Sequence, residues 1–410
     1  MSITDSLPIP DAGPRHRIRP WMAVCAALFA VAWGGNEFTP LLVMYRQEDE
    51  MTPLVLDVLL GAYVLGIVPA LILGGPLSDR FGRRPFFLPA PLVAVAGSVL
   101  LALGASSPTV LFAGRVLSGV ALGLVMAVGT AWVKEMSQAP FDTGAREGSG
   151  AGRAALALTA GFALGAGVAA ALAQFGPAPQ QSPYFVHIVL AIASFSLLWR
   201  VPESRRTSDD GRPLLEDLKI PSAVHRRFLF VVVPMAPWVF GTAASAYAIL
   251  PGLMMSKAPG LEIAMSGLLC VIALGCGVGA QRIAGRFDDP GSARGVGLAL
   301  AVTVVGMVLA AVAVGLDSLA WVVVAAAALG AAYGLLLVGG LREIQRIAGP
   351  DDLAGLTAVY YSLTYIGFFI PAVLALVGAW LPYTVMFVIG AVLALISFSI
   401  VALSWRRHLP

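Results

Sequence analysis

Long apolar segments alternate with short polar connections along almost the whole chain. The first segment covers residues 21–45, and eleven more follow at about 54–77, 85–105, 109–133, 154–175, 184–200, 228–254, 263–281, 296–316, 319–341, 354–378 and 382–404. About 20 helical residues span the hydrocarbon layer of a membrane, since each residue advances 1.5 Å. Lipid offers no partner to backbone N–H and C=O groups, so these segments must be helices. The pattern predicts an all-α polytopic membrane protein with twelve transmembrane helices.

Composition supports this assignment and excludes several classes of function. Of the 410 residues, 58% are hydrophobic and only 12% are charged, and the mean hydropathy is +0.86. The net charge of +3 includes no dense basic cluster, so we expect the lipid bilayer and no nucleic acid as partner. We expect neither an enzyme nor a cofactor or metal, because the chain has no H-E-x-x-H, G-x-S-x-G or nucleotide-binding loop.

The positive charges predict the orientation in the membrane. With the N-terminus in the cytoplasm, 23 of the 26 Lys and Arg residues fall in cytoplasmic segments. Arg46 and Lys257 lie on the other side, and Arg115 lies within a span. Cytoplasmic connections of membrane proteins are enriched in these residues. We therefore expect a multi-pass protein of the cell membrane with both termini in the cytoplasm.

The longest connection divides the predicted helices into six plus six. It covers residues 201–227, carries several acidic residues together with Gly and Pro, and is typical of a solvated linker. The predicted organisation is a cytoplasmic tail at 1–20, six helices at 21–200, the central loop at 201–227, six helices at 228–404 and a tail at 405–410. A short repeated pattern supports this division, because Lys134-Glu135 ends the fourth span and Arg342-Glu343 ends the tenth.

The connection between the second and third spans carries a distinctive motif. Residues 74–85 read G-G-P-L-S-D-R-F-G-R-R-P. Positive charge near a membrane explains the arginines but not their spacing with the other residues. The motif closely resembles the G-x-L-x-D-R-x-G-R-R signature of the major facilitator superfamily. Two more elements resemble this family, namely Arg115 with Gly119 in the fourth span and Val201-Pro202-Glu203-Ser204 after the sixth.

The resemblance implies two six-helix bundles around a central cavity, lined mainly by helices 1, 4, 7 and 10, with alternating access. It favours a proton-coupled exporter of the twelve-helix drug:proton antiporter type, acting as a monomer on a small molecule. The fifth span departs from the antiporter signature, because Gly165-Ala166 stands where Gly-Pro is expected. A proton-coupled uptake symporter for a small metabolite therefore remains an alternative.

Two charged residues lie at similar depth inside predicted spans. Glu37 lies about 12 Å, and Arg115 about 9 Å, below the extracellular ends of spans 1 and 4, from the rise per helical residue. A charge at such depth requires a partner, water or a function. We expect Glu37 and Arg115 to carry proton coupling, with a static ion pair as the alternative and Asp57 as the next candidate. His187 and Asp317 are expected to be interfacial.

The second half of the chain offers aromatic residues in place of deep charges. No ionisable residue lies deep inside any predicted span after residue 228. An aromatic wall opposite a single acid suits a lipophilic neutral or cationic molecule. The residues expected to line the cavity are Asn36, Trp238, Tyr247, Tyr333, Tyr361 and Tyr365.

The signature loop predicts a cytoplasmic gate. Its expected members are Gly75, Asp79, Arg80, Gly82, Arg83, Arg84 and Glu135. Asp79 is expected beside residues 349–352 at the start of helix 11, because a helix N-terminus favours an acid. Glu135 is expected to meet Arg80 or Arg83, or else to be a plain helix-end charge.

Overall fold

The computed structural model describes residues 19–48, 51–104, 106–145, 149–205, 220–289, 291–348, 353–404 and 406. These residues are largely helical and form no β-strand. Eleven helices are long and apolar enough to cross a membrane, and α6 is a shorter apolar helix. The helices are α1 (Pro20–Arg46), α2 (Leu54–Phe81), α3 (Arg83–Leu103), α4 (Pro108–Met136), α5 (Gly152–Phe175), α6 (Ser182–Leu198), α7 (Phe228–Leu253), α8 (Glu262–Arg286), α9 (Arg294–Gly315), α10 (Leu319–Ile347), α11 (Gly355–Val377) and α12 (Tyr383–Ser404). The predicted all-α fold is confirmed.

The helices alternate in direction between two faces of the molecule. We call the face where α1 begins and α12 ends the terminal face, and the other end the opposite face. Helices α1–α6 and α7–α12 form one bundle each.

Helix α1 is interrupted near its middle. It consists of Pro20–Asn36 and Phe38–Glu48, with Glu37 between them. Pro40 has no N–H to donate to the carbonyl of Asn36 four residues earlier, so the helical ladder is broken at this turn. The Pro residue after Glu37 therefore loosens the helix at this point.

Helices α4, α7 and α11 also contain turns that are not α-helical. Wider π-helical turns occur at Val125–Gly129 in α4 and at Ser245–Ile249 in α7, and a tighter 3₁₀ turn occurs at Ile366–Phe369 in α11. Pro251 and Pro371 follow the last two turns and remove one backbone donor each. Such irregular turns are common at functional sites because they redirect side chains.

Close helix crossings hold each bundle together. A methyl group on Gly119 of α4 would overlap the carbonyl oxygen of Tyr63 on α2, and one on Gly330 of α10 would overlap that of Ala273 on α8. A methyl group on Gly165 of α5 would lie 2.4 Å from the carbonyl oxygen of Trp33 on α1. The small residues of the fifth span therefore serve helix packing although the antiporter proline is missing.

The two bundles meet toward the opposite face. The segment Phe38–Glu48 of α1 packs against α8 and against the π-helical turn of α7. Helix α5 packs along α8, and α2 packs along α11. Near the ends of α5 and α8, Gln174 Nε2 donates to the Gly260 carbonyl (3.0 Å), and Ala264 N donates to Gln174 Oε1 (3.1 Å). The molecule is thus closed at the opposite face.

Candidate functional site

A narrow cavity, with room for little more than one water molecule, lies between the bundles where they meet. It is bordered by residues from seven helices of both bundles. These are Gly35, Asn36, Tyr63, Phe162, Phe240, Tyr247, Leu274, Tyr333, Tyr365 and Phe368. Seven of the ten are aromatic and none is charged. The wall therefore presents ring faces and edges, with an amide and tyrosine hydroxyls as its polar side-chain groups.

Stacked rings form the floor of this cavity. Tyr365 stacks on Phe240 with 4.4 Å between ring centroids, and Phe368 lies 4.8 Å from the same ring. Tyr63 meets Tyr365 and Phe368 edge to face at 6.4 and 6.3 Å. Offset and edge-to-face contacts of this kind favour flat apolar groups and allow a cation to lie over a ring.

The predicted cavity residues separate into two groups. Asn36, Tyr247, Tyr333 and Tyr365 lie on the wall. Trp238 instead donates its indole N–H to Ser397 Oγ on α12 (3.0 Å), and Tyr361 packs against Tyr360 with 5.6 Å between centroids. Trp238 and Tyr361 are therefore not among the residues that border this cavity, and their side chains contact neighbouring residues instead.

Four other aromatic residues of the wall were not among the predicted cavity residues. They are Tyr63, Phe162, Phe240 and Phe368. Tyr63 and Phe162 belong to α2 and α5, whereas the family resemblance predicts a cavity lined mainly by helices 1, 4, 7 and 10.

Asn36 joins the bundles at the edge of the cavity. Its amide nitrogen donates to the Phe162 carbonyl of α5 (3.1 Å) and to Cys270 Sγ of α8 (3.3 Å). Its amide oxygen accepts from Thr39 Oγ1 (2.8 Å). The side chain is 5% exposed, so these bonds are made largely away from water. Asn36 thus ties the interrupted turn of α1 to the second bundle.

Glu37 points away from the cavity into the first bundle. The residue is 0% exposed, and its Oε1 accepts from Ser98 Oγ of α3 (3.2 Å). Nδ1 of His187 on α6 lies 3.5 Å from the same oxygen. His187 is itself 1% exposed, so the prediction that it is interfacial is wrong. Asp317 is exposed and pairs with Lys257 near the opposite face.

Arg115 lies beside Glu37 but does not form an ion pair with it. Its Nε donates to the Leu59 carbonyl (3.2 Å) and its NH1 to the Gly35 carbonyl (3.5 Å). The guanidinium stacks over the rings of Tyr63 (4.4 Å) and Phe38 (4.7 Å). The static ion pair, given above as the alternative to proton coupling, is therefore not formed between these two side chains, because aromatic faces and carbonyls surround the cation. The side chain of Asp57 lies outside the described part of the structure.

These groups form two layers on either side of α1. The cavity layer is aromatic and uncharged, and Tyr63 separates it from Arg115. The second layer holds the buried carboxyl of Glu37 among Ser98 and His187. Because Asn36 and Glu37 are consecutive, the break in α1 connects the two layers through one peptide bond.

The signature loop forms a group of charges at the terminal face, which we call the first charge cluster (Asp79, Arg83, Glu135, Glu203 and Arg205). Arg83 NH2 lies 2.7 Å from Asp79 Oδ1 and 2.8 Å from Glu135 Oε1. Arg205 NH1 also lies 2.7 Å from Asp79 Oδ1. Glu135 thus meets Arg83, one of its two expected partners.

The segment after α6 completes this cluster. Glu203 accepts from the backbone N–H groups of Arg83 (3.0 Å) and Arg84 (2.8 Å), the first residues of α3. A carboxylate is favoured there by the free N–H groups of a helix N-terminus. Ser204 Oγ donates to Glu135 Oε2. Sequence reasoning had noted the Pro-Glu-Ser segment as a family element without assigning Glu203 to the gate.

Gly82 is required at the turn between α2 and α3. Its φ is +98°, and a methyl group on it would lie 2.8 Å from Glu203 Oε2. The neighbouring arginines are held by aromatic rings, with Arg80 5.5 Å from the Phe81 centroid and Arg84 5.8 Å from that of Trp199.

Gly75, another of the predicted gate residues, is bonded within the signature loop itself. Ser78 Oγ donates to the Gly75 carbonyl (2.8 Å) and accepts from Arg83 NH1 (2.7 Å). The residues expected beside Asp79, 349–352, lie outside the described residues. In this structure Asp79 is engaged by Arg83 and Arg205 within its own half of the chain.

A second charge cluster lies at the terminal face of the other bundle and consists of Arg227, Asp288, Arg342, Glu343 and Arg346. Arg227 bonds both carboxylate oxygens of Glu343, through Nε (2.5 Å) and NH2 (3.1 Å). Arg346 bridges Glu343 and Asp288 at 2.7 Å each. Glu343 lies near the end of α10 as Glu135 lies near the end of α4. Each glutamate pairs with an arginine of its own bundle, so the short repeated pattern of the sequence corresponds to two equivalent ion pairs.

The sequence of this chain matches the model of one protein family over most of its length. The match to the Major Facilitator Superfamily covers residues 22–370. The chain belongs to this superfamily. Known structures share its fold, including a D-xylose-proton symporter (TM-score 0.69, 16% identity, 95% of this chain and 98% of that chain). A structure of the nucleoside transporter NupG gives a TM-score of 0.70 with 12% identity over 94% of this chain and 99% of that chain.

Two curated proteins match shorter stretches of the chain. The Bacillibactin exporter of Bacillus subtilis (strain 168) is 27% identical over 103 residues, 24% of this chain and 26% of that protein. The Triacylglyceride transporter of Mycobacteroides abscessus is 40% identical over 90 residues, 22% of this chain and 16% of that protein. This chain therefore matches about a quarter of the length of these relatives or less. Together with the fold, the superfamily match indicates a multi-pass membrane transporter.

Proposed function

We propose that this transporter exports a small lipophilic molecule, neutral or cationic, across the cytoplasmic membrane in exchange for protons. The observation that carries the proposal is the break in α1. Asn36 faces an aromatic cavity without charge, and the next residue, Glu37, places a fully buried carboxyl behind the same helix. Substrate and proton then act on one movable turn.

The cavity favours the proposed substrate class. Aromatic rings stack on flat apolar molecules, and their faces attract cations. An anion finds no basic side chain on this wall. With both termini in the cytoplasm, the closed opposite face is the extracellular one.

Glu37 is the proposed proton carrier. A buried carboxylate is costly without a close counter-ion, whereas its protonated form can donate a hydrogen bond. Arg115 acts on Glu37 electrostatically without pairing with it. A small displacement of either group therefore changes how readily Glu37 binds a proton.

Proteoliposomes with an imposed pH difference test this proposal, using tetraphenylphosphonium as a lipophilic cation. The membrane potential is clamped at zero with potassium and valinomycin. An antiporter accumulates the probe when the lumen is acidic. Accumulation driven by an alkaline lumen would instead support the alternative, an uptake symporter for a small metabolite, and no accumulation in either case would refute proton coupling.

The decisive variant is Glu37→Gln, which keeps the side-chain shape and removes the titration. We expect it to abolish accumulation against a gradient while exchange at equal pH continues. Asp289→Asn makes the same kind of change, from a carboxyl to an amide, at the terminal face and should behave as the parent protein, because among the described residues the Asp289 side chain bonds only Gly291 and Ser292 of its own loop. Gradient-driven accumulation in Glu37→Gln would show that Glu37 is structural.

A further inference from the structure

Glu37 is one end of a buried hydrogen-bonded chain that runs away from the cavity. Ser98 Oγ lies 3.2 Å from Glu37 Oε1 and 2.6 Å from His187 Nδ1. Glu37 and Ser98 are 0% exposed and His187 is 1% exposed. Because the three residues come from α1, α3 and α6, the chain crosses the interior of the first bundle.

The hydroxyl of Ser98 can donate to only one of its two neighbours at a time. When Glu37 is ionised, Ser98 donates to Glu37 Oε1, and His187 donates to Ser98 through a proton on Nδ1. When Glu37 is protonated, Glu37 donates to Ser98, and Ser98 donates to an unprotonated Nδ1. The same three groups therefore support both protonation states without breaking the chain.

We propose that Ser98 and His187 form a proton relay that loads and unloads Glu37 from the side of α3 and α6. The relay rests on the proposed function, in which Glu37 carries the transported proton. A proton first binds His187 Nε2 and gives an imidazolium. The proton on Nδ1 then moves to Ser98 Oγ, while the former hydroxyl proton of Ser98 forms an O–H bond with Glu37 Oε1. The imidazole is left neutral and the carboxylate becomes a neutral acid.

Arg115 sets the electrostatic balance of this transfer. It is the cation of α4 beside Glu37, and it stacks on Tyr63 of α2. Because Arg115 keeps its charge throughout the transfer, it compensates part of the negative charge of Glu37 when the carboxyl is ionised.

The surroundings of His187 hold the ring in place. A side chain on Gly34 of α1 would overlap the imidazole, so the ring lies directly against the backbone of α1. Tyr184, one turn from His187 on α6, shares a 2.8 Å hydrogen bond with Tyr45 of α1. This hydroxyl pair lies toward the opposite face, as does Arg46 of α1, whereas the thiol of Cys25 lies on α1 near the terminal face. The relay is thereby confined to the space behind α1.

The geometry separates the path of the proton from the site of the substrate. The cavity wall includes Asn36 and Gly35 but not Glu37, Ser98 or His187. A bound substrate thus acts on the relay by moving the turn at Glu37, not by displacing a proton from a shared atom.

The relay is tested by time-resolved infrared spectroscopy after a rapid acid jump, without any transported molecule. The C=O stretching band of protonated Glu37 is identified as the band that Glu37→Gln removes. In Ser98→Ala and His187→Asn we expect this band to form about a hundredfold more slowly, the loss typical of a removed proton-transfer group. Asn keeps a hydrogen-bonding group near the position of Nδ1 but cannot pass on a proton. Ser98→Thr keeps the hydroxyl and should restore the rate.

The control is Ser194→Ala on α6, because Ser194 is buried and bonds only the carbonyl of its own helix at Ala191. An unchanged rate in Ser98→Ala or His187→Asn would overturn the relay and leave Glu37 as carrier. If Ser98→Ala does not fold, His187→Asn decides. If Glu37→Gln removes no band, Glu37 does not titrate, and the proposed function itself fails.

Discussion

Gln174 bridges the two bundles at the opposite face, and its removal should shift the conformational equilibrium. The amide nitrogen donates to the Gly260 carbonyl, and the amide oxygen accepts from the backbone N–H of Ala264 in the first turn of α8. Both bonds have to break before this face can open. The substitution Gln174→Ala removes them in the closed state and leaves the open state unaffected.

The size of the shift follows from the two bonds. One hydrogen bond contributes about 0.5–1.5 kcal/mol net, and bonds at a solvated rim lie in the lower part of this range. The pair therefore stabilises closure by about 1–2 kcal/mol. The fraction of molecules open at this face should rise about 5- to 30-fold in Gln174→Ala.

Cys270 reports this opening directly. Its thiol is 1% exposed and accepts from Asn36 between α1 and α8, so a maleimide reaches it only when the bundles separate. With Cys25 and Cys276 replaced by Ala, the labelling rate of Cys270 is proportional to the open fraction. The rate should increase about 5- to 30-fold, as the population does.

Gln281→Ala is the matched control, because Gln281 lies near the other end of α8, at the terminal face. It makes the same change without touching the contact between the bundles at the opposite face. If Gln174→Ala and Gln281→Ala label Cys270 at the same rate as the parent, the bridge does not contribute to closure.

Two further predictions concern the charge clusters and are checked by thermal unfolding of the purified protein. Gly82→Ala should destabilise the protein by about 1–3 kcal/mol, because its φ of +98° and ψ of 159° are accessible essentially only to glycine, and the new methyl group would also displace Glu203. Glu343→Gln should destabilise the protein by about 3–5 kcal/mol, because it leaves the fully buried Arg227 without its anion. Glu135→Gln should destabilise it less. The Glu135 side chain is 29% exposed, so water replaces part of its pairing. A smaller effect of Glu343→Gln than of Glu135→Gln would contradict this ranking.

The fold was predictable because its main determinants are local. Runs of apolar residues specify helices in lipid without reference to the rest of the chain. The turn at Glu37 follows from Gly34, Gly35 and Pro40, whose effects on a helix depend only on their immediate neighbours.

The surroundings of Glu37 were not predictable in the same way. Matching depth suggested Arg115 as its partner, but depth does not fix the direction in which a side chain leaves an interrupted helix. Ser98 and His187 are 61 and 150 residues away in the chain, so their contacts with Glu37 depend on how the helices are arranged. Nothing in the residues around His187 distinguishes it from an interfacial histidine.

The contacts of the first charge cluster were predictable only in part. Glu135 could be matched to Arg83 because both lie at predicted helix ends on one face. Glu203 was identified by its motif, yet its bonds to the N-terminus of α3 depend on where the end of α6 is placed. A motif thus identified the residue, whereas its partners required the fold.

Three consecutive residues at the break in α1 connect the second bundle to the surroundings of Glu37. The Gly35 carbonyl accepts from Arg115, the Asn36 side chain bonds α5 and α8, and the Glu37 carboxylate accepts from Ser98. When the second bundle moves, it displaces Asn36 through its bond to α8, and Glu37 follows because the two share a peptide bond. This displacement shifts the Glu37 carboxyl relative to Ser98, from which it accepts at 3.2 Å. Under the proposed function, it is the route by which a substrate held beside Asn36 acts on the proton carrier without touching it.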